Sequence, residues 1–431
     1  MGRGDPGYPG AVIPRLRTVD SSVGLLSEGY AFISSRCDRL GTDAFRTRLL
    51  LLPAVCMRGA EASRIFYGDD RFTRNRALPT SVQHLLQDEG SVQTLDGEAH
   101  RHRKQLFLDV LPQADDPRLR EIFAEQWRAA ARRWQGRDRV VLHDEMDEVL
   151  TRTAAAWAGV PLTEREVRLR TRELSAMVHN AGTVGWANWR ARLLRNRCEL
   201  WARQLVTRVR SGEVQPSEGR ALAAIAAHRD LDGTLLDVKV AAVELLNVLR
   251  PTVAVSRFVV FAALALVREP RWRDTFAAGD EDDLLGFVQE VRRFYPFFPL
   301  IAGRVRQPFS WHGHDFALHD WVLLDLYGTN HDHRLWDEPE AFRPERFRTW
   351  SGDPDTLIPQ GGGDPAENHR CPGEWATIDL LMEAVRLLTR ATRYEVRVQD
   401  LSVSLSSMPT LPKSGVVIQD VRLQGEPSAT R

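Results

Sequence analysis

Cysteine is scarce in this chain. Four occur among 431 residues, at Cys37, Cys56, Cys198 and Cys371, far apart and without paired spacing. That usage excludes a disulfide framework and fits a reducing compartment. Net charge is missing too: the formal balance at pH 7 is +0. A neutral chain lacks the basic field that gathers nucleic acid or an acidic membrane surface. Long apolar runs are absent as well. The longest, Phe258 to Val267, is half of the roughly 20 residues a spanning helix needs. Met1 to Gly10 is turn-forming and has no apolar signal-peptide segment. These absences predict a soluble, cytoplasmic protein with neither membrane nor nucleic acid as partner.

What is present can build a large core, since 43% of the residues are hydrophobic. No repeat or low-complexity linker divides the chain. Between Pro117 and Arg293 the pattern is mostly amphipathic helix, as in Gln126–Trp134, Glu164–Val178 and Trp189–Arg210. Leu235 to Val267 is long enough for one helix across the molecule. Farther on, residues 304–327 alternate around a hairpin turn at Gly313, and Leu401–Leu405 and Val416–Leu423 read as strands. The expected fold class is mostly α with a small β-rich part. A single domain over residues 1–431 is expected, its first residues, about 15, being flexible.

The most informative stretch runs from Ile358 to Trp375, Ile-Pro-Gln-Gly-Gly-Gly-Asp-Pro-Ala-Glu-Asn-His-Arg-Cys-Pro-Gly-Glu-Trp. Three glycines allow a loop to lie flat against something large and planar. Cys371 follows, just before a helix that begins near Glu374. The positive end of a helix lowers a thiol pKa and favours the metal-binding thiolate. Upstream, Glu290 and Arg293 share a helical face at i and i+3, the spacing of an ordinary surface ion pair as well. A hairpin and Phe342-Arg-Pro-Glu-Arg-Phe347 separate that pair from the glycine loop.

In that order the four elements resemble the cytochrome P-450 superfamily, over nearly the whole chain. The resemblance implies the P-450 fold, with haem b between a long central helix and the cysteine loop. Cys371 would ligate the iron through its thiolate, which promotes O–O cleavage. Glu290, Arg293 and Arg346 would form a buried ion triad that holds the loop. In Gln93-Thr-Leu-Asp-Gly-Glu-Ala-His-Arg-His-Arg-Lys104 a helix entered at Asp96-Gly97 puts His100 and Lys104 on one face. Such a face is often simply solvated. The family places propionate-binding residues in this helix, so the resemblance assigns that work to His100 and Lys104, with Arg74 a further candidate.

The long helix departs from the common pattern. Typical monooxygenases of the superfamily carry there an acidic residue beside a threonine. Here the stretch reads Val243-Glu-Leu-Leu-Asn-Val-Leu-Arg-Pro-Thr-Val-Ala-Val255, with Arg250-Pro251 in that place. Glu244 lies six residues before Arg250, about 240° around the helix, and cannot readily pair with it. A buried guanidinium needs a partner from elsewhere, either a carboxylate of another helix or a substrate's own. Pro251 frees the Asn247 carbonyl and kinks the helix.

Arg250-Pro251, the Gln289–Pro299 stretch with Phe297 and Phe298, and the Cys371 loop look like the fatty-acid peroxygenase branch. That likeness implies a substrate carboxylate anchored by Arg250 and serving as general acid–base toward hydrogen peroxide. Hydroxylation at the α or β carbon would follow, without a reductase. Gln93 stands where the branch tends to have glutamine in hydroxylating members and histidine in a decarboxylating one. Hydroxylation is therefore expected over decarboxylation to alkenes. Gln87 stands where the branch often has an aromatic residue, which implies a more polar substrate pocket, and Phe297 and Phe298 are expected to line that pocket too. A reductase-dependent monooxygenase and a haem-thiolate sensor are the alternatives. The missing acid–alcohol pair disfavours the first, and a buried Arg250 disfavours the second.

Overall fold

The computed structural model describes residues 13–87, 90–111 and 116–424. The expected flexible start therefore lies mostly outside the described residues. The chain opens with α1 (Ser22–Glu28), α2 (Phe32–Leu40), β1 (Ala44–Leu49), β2 (Leu52–Met57), α3 (Ala60–Tyr67), β3 (Phe72–Thr73), α4 (Thr80–Leu86) and α5 (Gly97–Val110). A helical stretch follows: α6 (Pro117–Trp134), β4 (Val140–Val141), α7 (Leu142–Ala158), α8 (Glu164–His179), α9 (Trp186–Arg210) and α10 (Ala221–Ala227). Then come α11 (Val238–Ala254), α12 (Ser256–Arg268), α13 (Pro270–Ala277) and α14 (Leu284–Phe294). The last part holds β5 (Leu300–Val305), β6 (Phe309–Trp311), β7 (His314–Phe316), β8 (Trp321–Asp325) and α15 (Leu326–Asn330). It closes with α16 (Glu374–Arg386), β9 (Thr392–Glu395) and β10 (Val417–Leu423). The architecture is mostly α with a small β part.

One sheet has the order β1-β2-β8-β5-β3, with β2 and β8 parallel and its other pairs antiparallel. A second joins β4, β10 and β9. β6 and β7 form the expected hairpin. Its two turn residues, His312 and Gly313, both have positive φ (45° and 62°), the turn that matches strand twist. The strand expected at Leu401–Leu405 is only an isolated bridge, Val403 to Pro412. Its neighbours are tied instead by an Asp400 turn that accepts from the Ser402 N–H at 3.0 Å.

The spine is α11 followed by α12. α11 packs on α7, α8 and α9, and α12 packs on α7, α14 and α16. Phe258 to Leu266 is almost wholly buried, each Phe or Leu contributing about 1.5–3 kcal/mol. By length and composition Val238–Arg268 could cross a membrane, but 89% of its most apolar window is buried inside the protein. The single long helix expected here is broken at Val255. Pro251 has no N–H for the Asn247 carbonyl, and the Val255 N–H turns to the Thr252 carbonyl at 3.2 Å.

Candidate functional site

The glycine loop is shaped by its own backbone. Gly361 and Gly363 adopt φ of +101° and +75°. A Cβ on Gly362 would lie 2.4 Å from Ser63 Oγ, so that strand of the loop has no room for a side chain. Asn330 Oδ1 accepts from the Ile358 N–H at 2.9 Å, and the Cys371 N–H donates to the Gln360 carbonyl at 3.1 Å. Cys371 stands two residues before Gly373, the N-cap of α16. Its thiol was expected to be acidified by that helix start. Burial instead pushes its pKa up, against the Gly373 N–H, Lys104 and Arg292, which pull it down. A thiolate here therefore needs a bound cation to replace the proton.

Two ion clusters hold the loop's surroundings. Glu374, at the first turn of α16, accepts from Arg292 and Arg370. Burial pushes that carboxyl up, but the two guanidinium groups outweigh it and hold it below its usual range. Arg292 Nε also donates to Gln360 Oε1 at 3.2 Å, tying α14 to the loop. In the second cluster Arg293 Nε lies 2.7 Å and Arg346 Nε 3.3 Å from Glu290 Oε2. Glu290 and Arg293 are fully buried. The Arg343 N–H donates to Glu290 Oε1 at 2.8 Å, and Arg293 reaches the Asn330 and Pro339 carbonyls at 2.9 and 3.0 Å.

Basic groups converge on the other side of the loop. Lys104 Nζ donates to the carbonyls of Asn368 (2.9 Å) and Arg370, bolting α5 to the cysteine loop. One turn earlier, the His100 ring lies 3.9 Å from that of His369. Burial, then Lys104 and Arg74, press the His100 pKa down to about 3. Burial likewise brings Lys104 down to about 8. Arg74 is buried, and its Nη2 finds no acceptor among the described residues. A buried guanidinium donor without an acceptor among the described residues, beside imidazoles that burial and then neighbouring cations hold neutral, is a pocket short of negative charge. That donor set fits the two carboxylates of a haem, and the flat glycine loop with Cys371 fits its face and iron. His369 and Arg292 escaped the sequence reading. Adjacency to Cys371 and to Arg293 was the available signal.

Above the loop, α11 carries a buried polar set. Arg250, only 4% exposed, was expected to take its partner from another helix or from a ligand. Part of the answer lies within the protein: it donates to the carbonyls of Leu85 (3.2 Å) and Leu86 at the end of α4, and to Asn247 Oδ1 (2.8 Å). A helix C-terminus is the negative end of its dipole. Asn247 Nδ2 donates to Glu244 Oε2 at 2.8 Å and to Gln93 Oε1 at 3.0 Å. Glu244 Oε1 accepts from the Val92 N–H (2.8 Å) and Arg103 Nη1 (3.0 Å), and Arg103 continues to Asp230. Burial pushes the Glu244 pKa up, and these donors oppose it. Gln93 and Arg250 are thus joined through one amide, whereas Glu244 touches Arg250 only through Asn247.

Of the three pocket candidates, Phe297 and Phe298 meet edge to face, their ring centroids 4.8 Å apart. Gln87 is buried, its Oε1 without a partner among the described residues and its carbonyl accepting from Arg195 at 3.3 Å. Phe297 stacks on Phe258 of α12 at 4.2 Å, while Phe298 is 38% exposed.

A family model described as Cytochrome P450 matches residues 284–390. The solved structure of P450EX alpha (CYP152N1) with myristic acid is 42% identical, covers 96% of this chain and all of its own, and superposes with a TM-score of 0.92. The chain belongs to the cytochrome P450 family. Its resident cofactor is accordingly a thiolate-ligated haem b. P450SP alpha (CYP152B1) in complex with (R)-ibuprofen is 45% identical over 94% of this chain and all of its own, with a TM-score of 0.91. A variant of P450 OleT with arachidonic acid is 34% identical over 97% of this chain and all of its own, at 0.92. Matches to curated P450 sequences are local. The sarpagan bridge enzyme of Gelsemium sempervirens is 34% identical over 91 residues, 20% of this chain and 17% of that enzyme. Psoralen synthase of Ammi majus is 29% identical over 144 residues, 31% of this chain and 28% of that enzyme.

Proposed function

We propose that this P450 is a peroxygenase that hydroxylates fatty or other carboxylic acids at the α or β carbon with hydrogen peroxide. The observation that carries this reading is the polar set at α11, where buried Arg250 and Asn247, with Gln93 hydrogen-bonded to Asn247 from the turn before α5, stand in place of an acid–alcohol pair. Three structurally similar P450s are each complexed with a carboxylic acid, which supports a carboxylate as the group recognised. Arg250 anchors that carboxylate by charge-assisted hydrogen bonds. So held, the substrate's carboxylate is a base that takes a proton from one peroxide oxygen and returns it to the other. Gln93 offers an amide donor that has no ionisable proton, which favours hydroxylation over loss of carbon dioxide. The short distance from carboxyl to α and β carbons confines the reaction to them.

Haem would supply the oxidising chemistry when bound, and Cys371 would hold its iron through the thiolate. Arg74, His100 and Lys104 would hold its propionates, and Glu290, Arg293 and Arg346 would keep the loop in place. Gln87, Phe297 and Phe298 border the substrate pocket. The enzyme needs no reductase and acts in the cytoplasm.

The test is a screen of carboxylic acids graded by length and polarity, driven by peroxide, with products identified by mass. Hydroxy acids are expected, with no turnover from reductant plus dioxygen. Turnover with reductant and dioxygen but not with peroxide would overturn the reading.

A further inference from the structure

Asparagine and glutamine side chains look alike from both ends, so something must decide which end is oxygen. On α11 that decision is made by one carboxylate. Glu244 is fully buried, and both its oxygens accept hydrogen bonds: Oε1 from Val92 and Arg103, Oε2 from Asn247. An acceptor at Oε2 forces the amino end of Asn247 toward it. The same amino group meets Gln93 at 3.0 Å, so Gln93 must present its oxygen there, where Ser91 Oγ also donates at 2.8 Å. Two consequences follow at once. Asn247 Oδ1 is left facing Arg250 Nη2 at 2.8 Å, and Gln93 Nε2 is turned away from the set, with no acceptor among the described residues.

We propose that Glu244 is a positioning residue that fixes the Asn247 amide, and through it both the aim of the Arg250 guanidinium and the outward donor of Gln93. The proposal rests on the carboxylate-anchor reading and deepens it. Acid recognition then depends on a side chain that does not contact Arg250. Arg103 and Asp230 complete the brace, running from Glu244 to the protein surface. The charge of Arg103 keeps Glu244 an acceptor in a fully buried place.

Glu244→Gln tests this with almost no change of shape. The new amide places its oxygen toward Val92 and Arg103, since the reverse would set two donors against it. Its amino end then faces Asn247, which must turn over. The turned Asn247 points its amino group at Arg250, donor against donor, and its oxygen at Gln93, which must turn over in its own right and so loses its outward donor. Asn247→Leu removes the linking amide while leaving the Glu244–Arg103 pair whole, and so serves if the first variant fails to fold.

The readout is the shift of the haem Soret band in holoenzyme titrated with myristic acid, and in parallel with imidazole, which binds iron without an anchor. In both variants myristic acid is expected to bind about tenfold more weakly, the loss of one hydrogen bond to a charged group. Imidazole binding stays within about twofold of the parent on that account. Unchanged acid affinity in either folded variant, or equal weakening of acid and imidazole, overturns the positioning role. In the first of those outcomes the carboxylate anchor survives. A parent protein that gives no shift with any acid removes the anchor itself, and this inference with it.

Discussion

At the scale of single residues, the decisive feature is a buried guanidinium in the central helix. Arg250 meets two carbonyls of α4 and one amide oxygen. Replacing it with alanine is expected to weaken acid binding on the order of a hundredfold, the size of a charge-assisted pair lost from a buried site. Spectral titration of Arg250→Ala with myristic acid checks this. An affinity within threefold of the parent would exclude an anchor role. Arg250 and Cys371 were legible from sequence because each is chemically conspicuous in its own local run. Their partners were not. Asn247 reaches Gln93 across 154 positions, and Lys104 reaches Asn368 across 264. No local periodicity encodes contacts of that span. The thiol's raised pKa escaped for the same reason: the helix start is written locally, whereas burial is a property of the whole packing.

At the scale of elements, clusters between helices and loops carry their own predictions. Glu290 accepts from Arg293 and from a backbone N–H while fully buried. Glu290→Ala leaves Arg293 without its carboxylate and is expected to cost about 3–5 kcal/mol, measured by guanidinium unfolding. A loss below 1 kcal/mol would mean that Asn330 and Pro339 suffice for Arg293. The N-terminus of α15 offers a titration test. Asp325 caps it through the Gly328 N–H, and burial lifts that carboxyl to about 7. Its folded pKa exceeds its unfolded one, so its favourable term is complete below about 3.8 and is lost as pH rises toward about 7. Asp325→Asn should therefore gain on the parent as pH goes from 4 to 8, by comparison of urea midpoints. A constant gap across that range refutes the shift. Strand order was less legible than helix content. β2 pairs with β8 through Val55 and Val322, a parallel match made only once the helical body has brought distant strands together.

At the scale of the whole molecule, several imidazoles are held neutral in the folded chain, and they contribute to its response to acid. Burial, then Arg257, brings His179 down to about 2; burial, then Arg293, brings His331 down to about 3. Below about 6.5 the unfolded chain binds protons at these groups that the folded chain does not, so stability falls as pH drops toward 3. Replacing His331 with asparagine should flatten that decline, read as the pH dependence of the denaturation midpoint. An unchanged slope would show that the imidazole titrates alike in both states. The helical body itself was readable, because amphipathic runs such as α8 and α9 repeat their pattern over many turns. The break in the central helix was half readable: Pro251 announced it, but its place at Val255 depends on where the next hydrogen bond re-forms.

That break divides the spine into two territories. Before Val255 the helix presents Glu244, Asn247 and Arg250 to the site; after it, Phe258 to Leu266 is sealed in the core. A combinatorial library aimed at new acids should keep Glu244, Asn247 and Arg250 and vary their neighbours in the first territory, since diversity spent on the second is selected for folding and not for choice of substrate.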